Sequence, residues 1–332
     1  MSHQQPFVSV VTPFYNTAPF LRQCLDSLLG QSYDNFELVI VDNQSNDGSW
    51  EIAQSYETRD SRVRLVRTPS FLPQLENYNF ALRQISPHSR YCKMAMADDW
   101  LFPRCLQEMV ELAEDNPTVG IVTAYELQSK EVLGSGLDPS ITLLSGRDAC
   151  RRYLLEGLCM FGSPNTVMYR ADLVRQRTAF FPPWSLHADT EIAFELLREH
   201  DLGIVHQVLS YTRIRSDSIS GLVSEFNPQA LDLLIIAKRY GRYFLDGTEY
   251  DATVSRARAW FYGNLVRGMV FGGFSRAGRR DFLEYQVAGL SRIEERVQTR
   301  LVAKHLGATV LEELLAPFQL AKKLKSAATS IR

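Results

Sequence analysis

Along the first 125 residues, short apolar runs alternate with segments whose apolar positions recur at helical spacing. Residues 7–12 are apolar and β-branched and predict a strand, ended by Pro13-Phe14-Tyr15-Asn16. Leu21, Cys24, Leu25, Leu28 and Leu29 share one face of a helix over 18–29, with Asn16 or Thr17 as its cap. Residues 36–41 form a second buried strand that ends at Asp42, and the turn-rich stretch 43–49 opens a helix near Trp50. A third strand over 63–67 precedes a helix over 75–84. The run 93–97 reads as a fourth strand that leads straight into Asp98 and Asp99, followed by a helix over 103–114 and a strand over 120–124. This alternation with short connections predicts an α/β domain with a mostly parallel sheet and right-handed crossovers. Ligands of such sheets bind beyond the carboxyl ends of the strands. Three strands place polar residues there: 12–16, 42–47 and Asp98-Asp99.

Two adjacent carboxylates resist joint ionisation. A divalent cation, Mg²⁺ or Mn²⁺, resolves the conflict and bridges readily to phosphates. The competing reading makes Asp98 or Asp99 the cap of a helix beginning near Pro103. There is no GxGxxG after the first strand and no GxxxxGK[ST], which removes the main support for dinucleotide and Walker-type sites. A carboxylate ending the second strand and paired acids after the fourth together suit a nucleotide diphosphate carrying a leaving group.

Composition narrows the class. Five scattered cysteines without a CxxC pair, and six histidines without HExxH, argue for a reducing compartment and against a disulfide framework or a zinc site. No secretory signal is read at the N-terminus, and no apolar stretch reaches the ~18 residues of a spanning helix. Residues 1–225 hold 19 basic and 28 acidic side chains, net -9, whereas 226–332 hold 17 and 10, net +7. The basic segment can face phosphate or an anionic membrane, or dock on the acidic one.

The motifs resemble those of family 2 of the glycosyltransferases, inverting enzymes with the GT-A fold. Ser9-Val10-Val11-Thr12-Pro13-Phe14-Tyr15-Asn16 is similar to the family's opening strand and Pro-x-Tyr-Asn. Val39-Ile40-Val41-Asp42-Asn43-Gln44-Ser45-Asn46-Asp47-Gly48-Ser49 is similar to its Val-Asp-Asp/Asn-x-Ser-x-Asp-Gly-Ser/Thr. Asn77-Tyr78-Asn79-Phe80-Ala81-Leu82 resembles the helix before the fourth strand, and Ala97-Asp98-Asp99-Trp100 stands at the Asp-x-Asp metal motif. The resemblance implies that Asp42 bonds the base, that Tyr15 and Pro13 line its pocket, and that Asn16, Asn43, Asp47 and Asn79 border the donor. Helix capping is an equal alternative for Asp47. Asp98 would touch the ribose or the metal, and Asp99 would ligate the metal. Ala97 departs from the pattern where the first acid is expected, and Asn43 replaces the second acid of the earlier motif.

Further along, residues 162–170 resemble the family's acceptor-side loop and strand; a plain turn and strand is the alternative. Inverting transfer needs a carboxylate to deprotonate the acceptor hydroxyl as it attacks C1. The family places that acid at the start of a helix, which here selects Asp189, with helix capping as its alternative role and Glu191 as the second choice. Trp184 and His187 would face the acceptor. Arg213 or Arg215 would clamp the diphosphate, unless they form a surface pair. From about residue 226 several amphipathic helices are expected, and the basic tail 315–332 either lies on an anionic membrane or packs on its own domain.

The combined expectation is a GT-A domain over 1–225 and a helical domain over 226–332. The expected activity is metal-assisted transfer of a sugar from a nucleotide diphosphate, UDP foremost, to a glycan, lipid-linked or protein acceptor. It is expected in the cytoplasm, with peripheral membrane contact open and no nucleic acid partner. The rivals are an inactive GT-A scaffold and a sugar-1-phosphate nucleotidyltransferase. The latter usually needs a Gly-rich basic loop that Pro13-Phe14-Tyr15-Asn16 does not supply.

Overall fold

The computed structural model describes residues 5–161, 163–183, 185, 187–214, 228–271 and 276–307, with backbone alone at 271, 276 and 277. Trp184, Arg215 and the tail 315–332, all singled out from the sequence, lie outside the described residues. The chain divides into two compact units, residues 1–215 and 216–332. The boundary expected at 225/226 falls within 215–227, also outside those described.

In the first unit the apolar runs become strands because each is covered on both faces. β1 (Val8–Phe14) is buried at every position and β2 (Phe36–Asp42) at all but one. They pair in parallel with each other, β3 (Val63–Arg67) joins β2 and β4 (Tyr91–Met94) joins β1, again in parallel. Helices α1 (Ala18–Leu29), α2 (Ser49–Arg59) and α3 (Gln74–Leu82) connect them. Leu21, Cys24, Leu25 and Leu28 form the buried stripe of α1, and they join Val10, Leu38, Ile40, Leu106 and Met109 in one apolar cluster.

After β4 come β5 (Trp100–Leu101), α4 (Cys105–Asp115), β6 (Val119–Gln128), β7 (Glu131–Leu133), β8 (Leu143–Leu144) and α5 (Gly146–Glu156). Next are β9 (Val167–Arg170), α6 (Ala171–Arg175), α7 (Ala188–Leu196) and β10 (Asp201–Thr212). The sheet runs β3-β2-β1-β4-β9-β6-β10-β5, with β7 on β6 and β8 on β10. The strand expected over 120–124 is therefore present and longer, but it does not adjoin β4. β9 lies between them, antiparallel to both. Since β6 and β10 are parallel, the strands β1 to β4, β6 and β10 all point one way. Their carboxyl ends, and the residues that enter β9, gather along a single edge of the sheet.

The second unit is helical: α8 (Gln229–Phe244), α9 (Gly247–Phe271) and α10 (Arg276–Ser291). Leu231, Leu234, Phe261, Leu265 and Phe282 are buried. Gly289 lets α10 approach α8 closely, because a Cβ there would lie 2.3 Å from Leu231. Glu295 pairs with both Lys238 and Arg258. No described helix is long and apolar enough to cross a membrane.

Candidate active site

The acidic turn sits at that sheet edge. β4 ends at Met94, earlier than the sequence suggests, and residues 95–99 carry Asp98 and Asp99 to β5, which pairs antiparallel with β10 at Ser210 and Tyr211. The capping alternative fails for both acids: α4 begins at Cys105 with Arg104 at its N-cap. The Asp99 side chain belongs to a residue only 4% exposed, and its Oδ1 accepts from the Arg213 backbone N–H at 2.8 Å. Burial pushes this carboxyl up to about 7; the Arg213 N–H opposes that, while the charges of Asp98 and Glu126 add to it. Arg213 Nε donates to the Asp98 carbonyl, and another of its nitrogens donates to Gln23. Its guanidinium lies 4.9 Å from the ring centres of both Phe20 and Trp100, and Trp100 stacks on Tyr211. The expected diphosphate clamp is thus fastened to the acidic turn itself.

The residues fit a hard divalent cation. A carboxyl held back from ionising by burial, beside a second acid, gains most from a cation. Among the described residues no group of three or more His, Cys, Asp or Glu could hold a metal ion alone. A cation here would keep positions for water and substrate phosphate, as Mg²⁺ and Mn²⁺ sites do.

Beneath the turn Lys93 is completely buried and donates from Nζ to the carbonyls of Met94 (2.9 Å) and Asn165 (2.7 Å). Burial lowers this ammonium to about 8. Asn165 accepts from the Met96 N–H and donates to Thr212 Oγ1, which donates to Glu126. The loop before β9, expected on the acceptor side, is thereby tied to the acidic turn and to the end of β10.

The first two loops interlock. Asp47 accepts from the backbone N–H groups of Ala18 and Ser49 and from the Ser49 hydroxyl. Partial burial opposes ionisation, but these bonds hold the carboxyl below the usual range. Asp47 therefore serves the starts of α1 and α2 together, the capping role weighed for it. The Thr17 side chain, although at the N-cap of α1, makes no cap bond. Asn16 adopts a left-handed φ of 52° and bonds Ser45 and Asn46, a conformation Asn tolerates. Pro13 is buried in β1 opposite Val41.

Asp42 is completely buried. Its Oδ1 accepts from Ser45 N–H at 3.0 Å, and its Oδ2 pairs with Arg67 at 2.8 Å. Asn43 brackets Leu72, donating to its carbonyl and accepting from its N–H. That stitching holds Phe71 out from the surface, 58% exposed, edge-on against Tyr15, itself 45% exposed, with centroids 4.9 Å apart.

α7 begins with His187 at its N-cap and Asp189 in its first turn. Asp189 is thus not the capping residue; its Oδ1 accepts from the Thr190 N–H. Glu191 is 2% exposed within the helix. Tyr78, on α3, links the two ends of the site. Burial pushes its phenol up to about 12, a hydrogen bond from Gln74 opposes this, and the charges of Asp98, Asp99 and Asp189 add to it. The Tyr78 hydroxyl also donates to Met96 Sδ in the acidic turn at 3.3 Å. Asn79, by contrast, points its amide at Phe181, donating to the carbonyl and accepting from the N–H. The structure thus joins Asp98, Asp99 and Arg213 by direct bonds, and separately brings together Tyr15, Asn16, Asp42, Asn43 and Asp47, while Asp189 stands in the first turn of α7 and Asn79 serves the segment leading to it.

Sequence reading missed Tyr78, Phe71, Arg67 and Lys93. Lys93 alone carried a signal, as the one charge in a strand otherwise apolar.

Comparison with known proteins bears on the family and the fold. The model for "Glycosyl transferase family 2" matches residues 9–177. The uncharacterized glycosyltransferase EpsJ of Bacillus subtilis is 32% identical over 127 residues, 38% of this chain and 36% of that protein. The chain spans between about a third and just under two-thirds of the first curated relatives it matches. In structure it is similar to S. aureus TarS 1–349 in complex with UDP-GlcNAc (TM-score 0.61, 15% identity, 89% of this chain and 82% of that one). It is also similar to the mannosyltransferase PcManGT from Pyrobaculum calidifontis in complex with GDP-Man and Mn²⁺ (0.57, 16%, 97% and 85%). The fold is GT-A. The family match covers half of the chain, through β1, the interlocked loops, the acidic turn and β9, and the chain belongs to glycosyl transferase family 2.

Proposed function

We propose that this protein transfers a sugar from a nucleotide diphosphate to an acceptor hydroxyl with inversion at C1. The observation that carries the reading is the acidic turn at the carboxyl edge of the sheet, where the buried Asp99 and its neighbour Asp98 are held by Arg213. Asp189 acts as general base and takes the proton of the attacking hydroxyl; the buried Glu191 is the second candidate. Asp98 and Asp99 would hold Mn²⁺ or Mg²⁺, whose positive charge would stabilise the departing diphosphate. Arg213 keeps the turn that carries them in place. Tyr15 and Phe71 present the aromatic face on which the base stacks, beside Asn43 and the Asp42–Arg67 pair. A uridine donor is favoured, since TarS was solved with UDP-GlcNAc, although the PcManGT complex contains GDP-Man. The acceptor is a glycan, a lipid-linked intermediate or a protein. The +7 charge of residues 226–332 supports contact with an anionic membrane face.

The test is Asp189→Asn. Transfer should fall by at least ~10²-fold, the usual scale of general-base loss, while the thermal shift given by a nucleoside diphosphate with Mn²⁺ stays at the wild-type value. Full transfer by this variant would remove Asp189 from the role. A folded wild type that shows no shift with any nucleotide would favour an inactive scaffold.

A further inference from the structure

At the opposite edge of the sheet, α3 and α6 border an open recess of about 190 Å³ lined by Asn79, Leu82, Arg83, Ile85, Pro87, Val174, Arg175, Arg177, Thr178 and Phe180, with Arg83 and Arg175 exposed at its mouth. Three of these ten side chains are guanidinium groups, and none is a carboxylate. The cavity adjoins the turn that precedes β4, because Arg175 donates to the carbonyls of Ser86 and Ser89. From Ser89 to Met94 an extended chain covers about 16 Å, so the cavity and the acidic turn are separate places on the molecule.

The arginines are oriented by backbone carbonyls. Arg83 donates to Thr178, Arg177 to Leu173, and Arg175 to the pair just named. Each guanidinium carries five N–H donors, so most of their hydrogen-bonding capacity remains. Among the described residues, Glu195 stands 4.0 Å from Arg177, and Glu37 accepts from the N–H of Ser86, whose carbonyl Arg175 holds. Three like charges around one recess repel each other, and an oxyanion removes the repulsion while offering the planar acceptors that arginine forks match. Leu82, Ile85, Pro87, Val174 and Phe180 make the rest of the wall apolar.

We propose that this cavity is a second binding site, distinct from the donor site, for a phosphate group carried on a small apolar moiety. The ligand is either a soluble phosphate ester or the headgroup of an anionic lipid. The proposal does not depend on the transfer reaction. The site borders residues 178–181, which Asn79 clasps and which continue toward α7, so its occupant touches the segment leading to the acceptor side.

The test uses the full chain with phenyl phosphate, inorganic phosphate and chloride at matched ionic strength, read by thermal shift and calorimetry, together with sedimentation on phosphatidic acid vesicles. Phenyl phosphate should stabilise saturably and bind more tightly than inorganic phosphate. Arg83→Ala/Arg175→Ala should weaken it at least tenfold. Because Arg175 also supports the turn at 86–89, Thr178→Asp provides a variant that leaves every arginine in place and should weaken binding as much. Both variants should retain the wild-type shift with UDP and Mn²⁺, which separates this site from the donor site. Binding of phenyl phosphate alone identifies a soluble ester, and vesicle binding lost in Thr178→Asp identifies a lipid headgroup. The proposal is overturned if phenyl phosphate does no more than chloride, or if Thr178→Asp binds it as the wild type does.

Discussion

At the scale of single residues, Asp99 carries the sharpest consequence. Its carboxyl is raised from the unfolded value of 3.8 to about 7, so between those values the native state binds a proton that the unfolded chain has released. Metal-free protein should therefore lose stability as pH rises from about 4 to 7 and change little from this group above that, by up to roughly 4 kcal/mol. Urea titrations in chelator should show that slope in the wild type and a flatter one in Asp99→Asn. Mn²⁺ should stabilise the wild type more at pH 7.5 than at pH 5. Ala97 is explained at this scale too. It is 3% exposed and belongs to the apolar cluster of the first unit, so a carboxylate there would lie among apolar side chains.

At the scale of elements, the strands and helices of the first 125 residues were legible because each carries its own periodicity. What could not be read is pairing. β5 has two residues, too few to show a pattern, yet it sets the acidic turn against β10, and β9, a strand expected within 162–170, carries no sign of its place between β4 and β6. The Asp42–Arg67 ion pair follows from the register of β2 on β3, where these residues are direct neighbours, and no local signal states that register. Asn79 and Phe181 stand 102 residues apart; the sequence marks Asn79 as special but not its partner. Its role gives a prediction. Asn79→Ala leaves a buried N–H and a buried C=O unpaired, at about 1–3 kcal/mol each, so denaturant midpoints should fall accordingly. Because the same segment leads to Asp189, acceptor KM should rise while the nucleotide shift is unchanged.

At the scale of the whole molecule, the residues proposed to bind the donor come from the ends of several strands, so one ligand should quiet them together. A nucleoside diphosphate with Mn²⁺ at a hundred times its Kd should add about 2.7 kcal/mol to stability. Amide exchange should slow at residues 13–17, 42–49, 68–72 and 95–99 as a group. Exchange that slows in only one of these stretches would mean that the site is not assembled as described. The bond set of Asp47 carries this unity further. One carboxylate holds the first N–H of α1 and of α2 at once, and Ser49 reaches back to the Thr17 N–H. The two loops are therefore a single heritable part. A chimera that takes residues 13–20 from one relative and 42–52 from another will fold well only if the Asp-Gly-Ser partner travels with a compatible opening loop, so donor preference should pass between relatives by exchange of the pair and not of either loop alone.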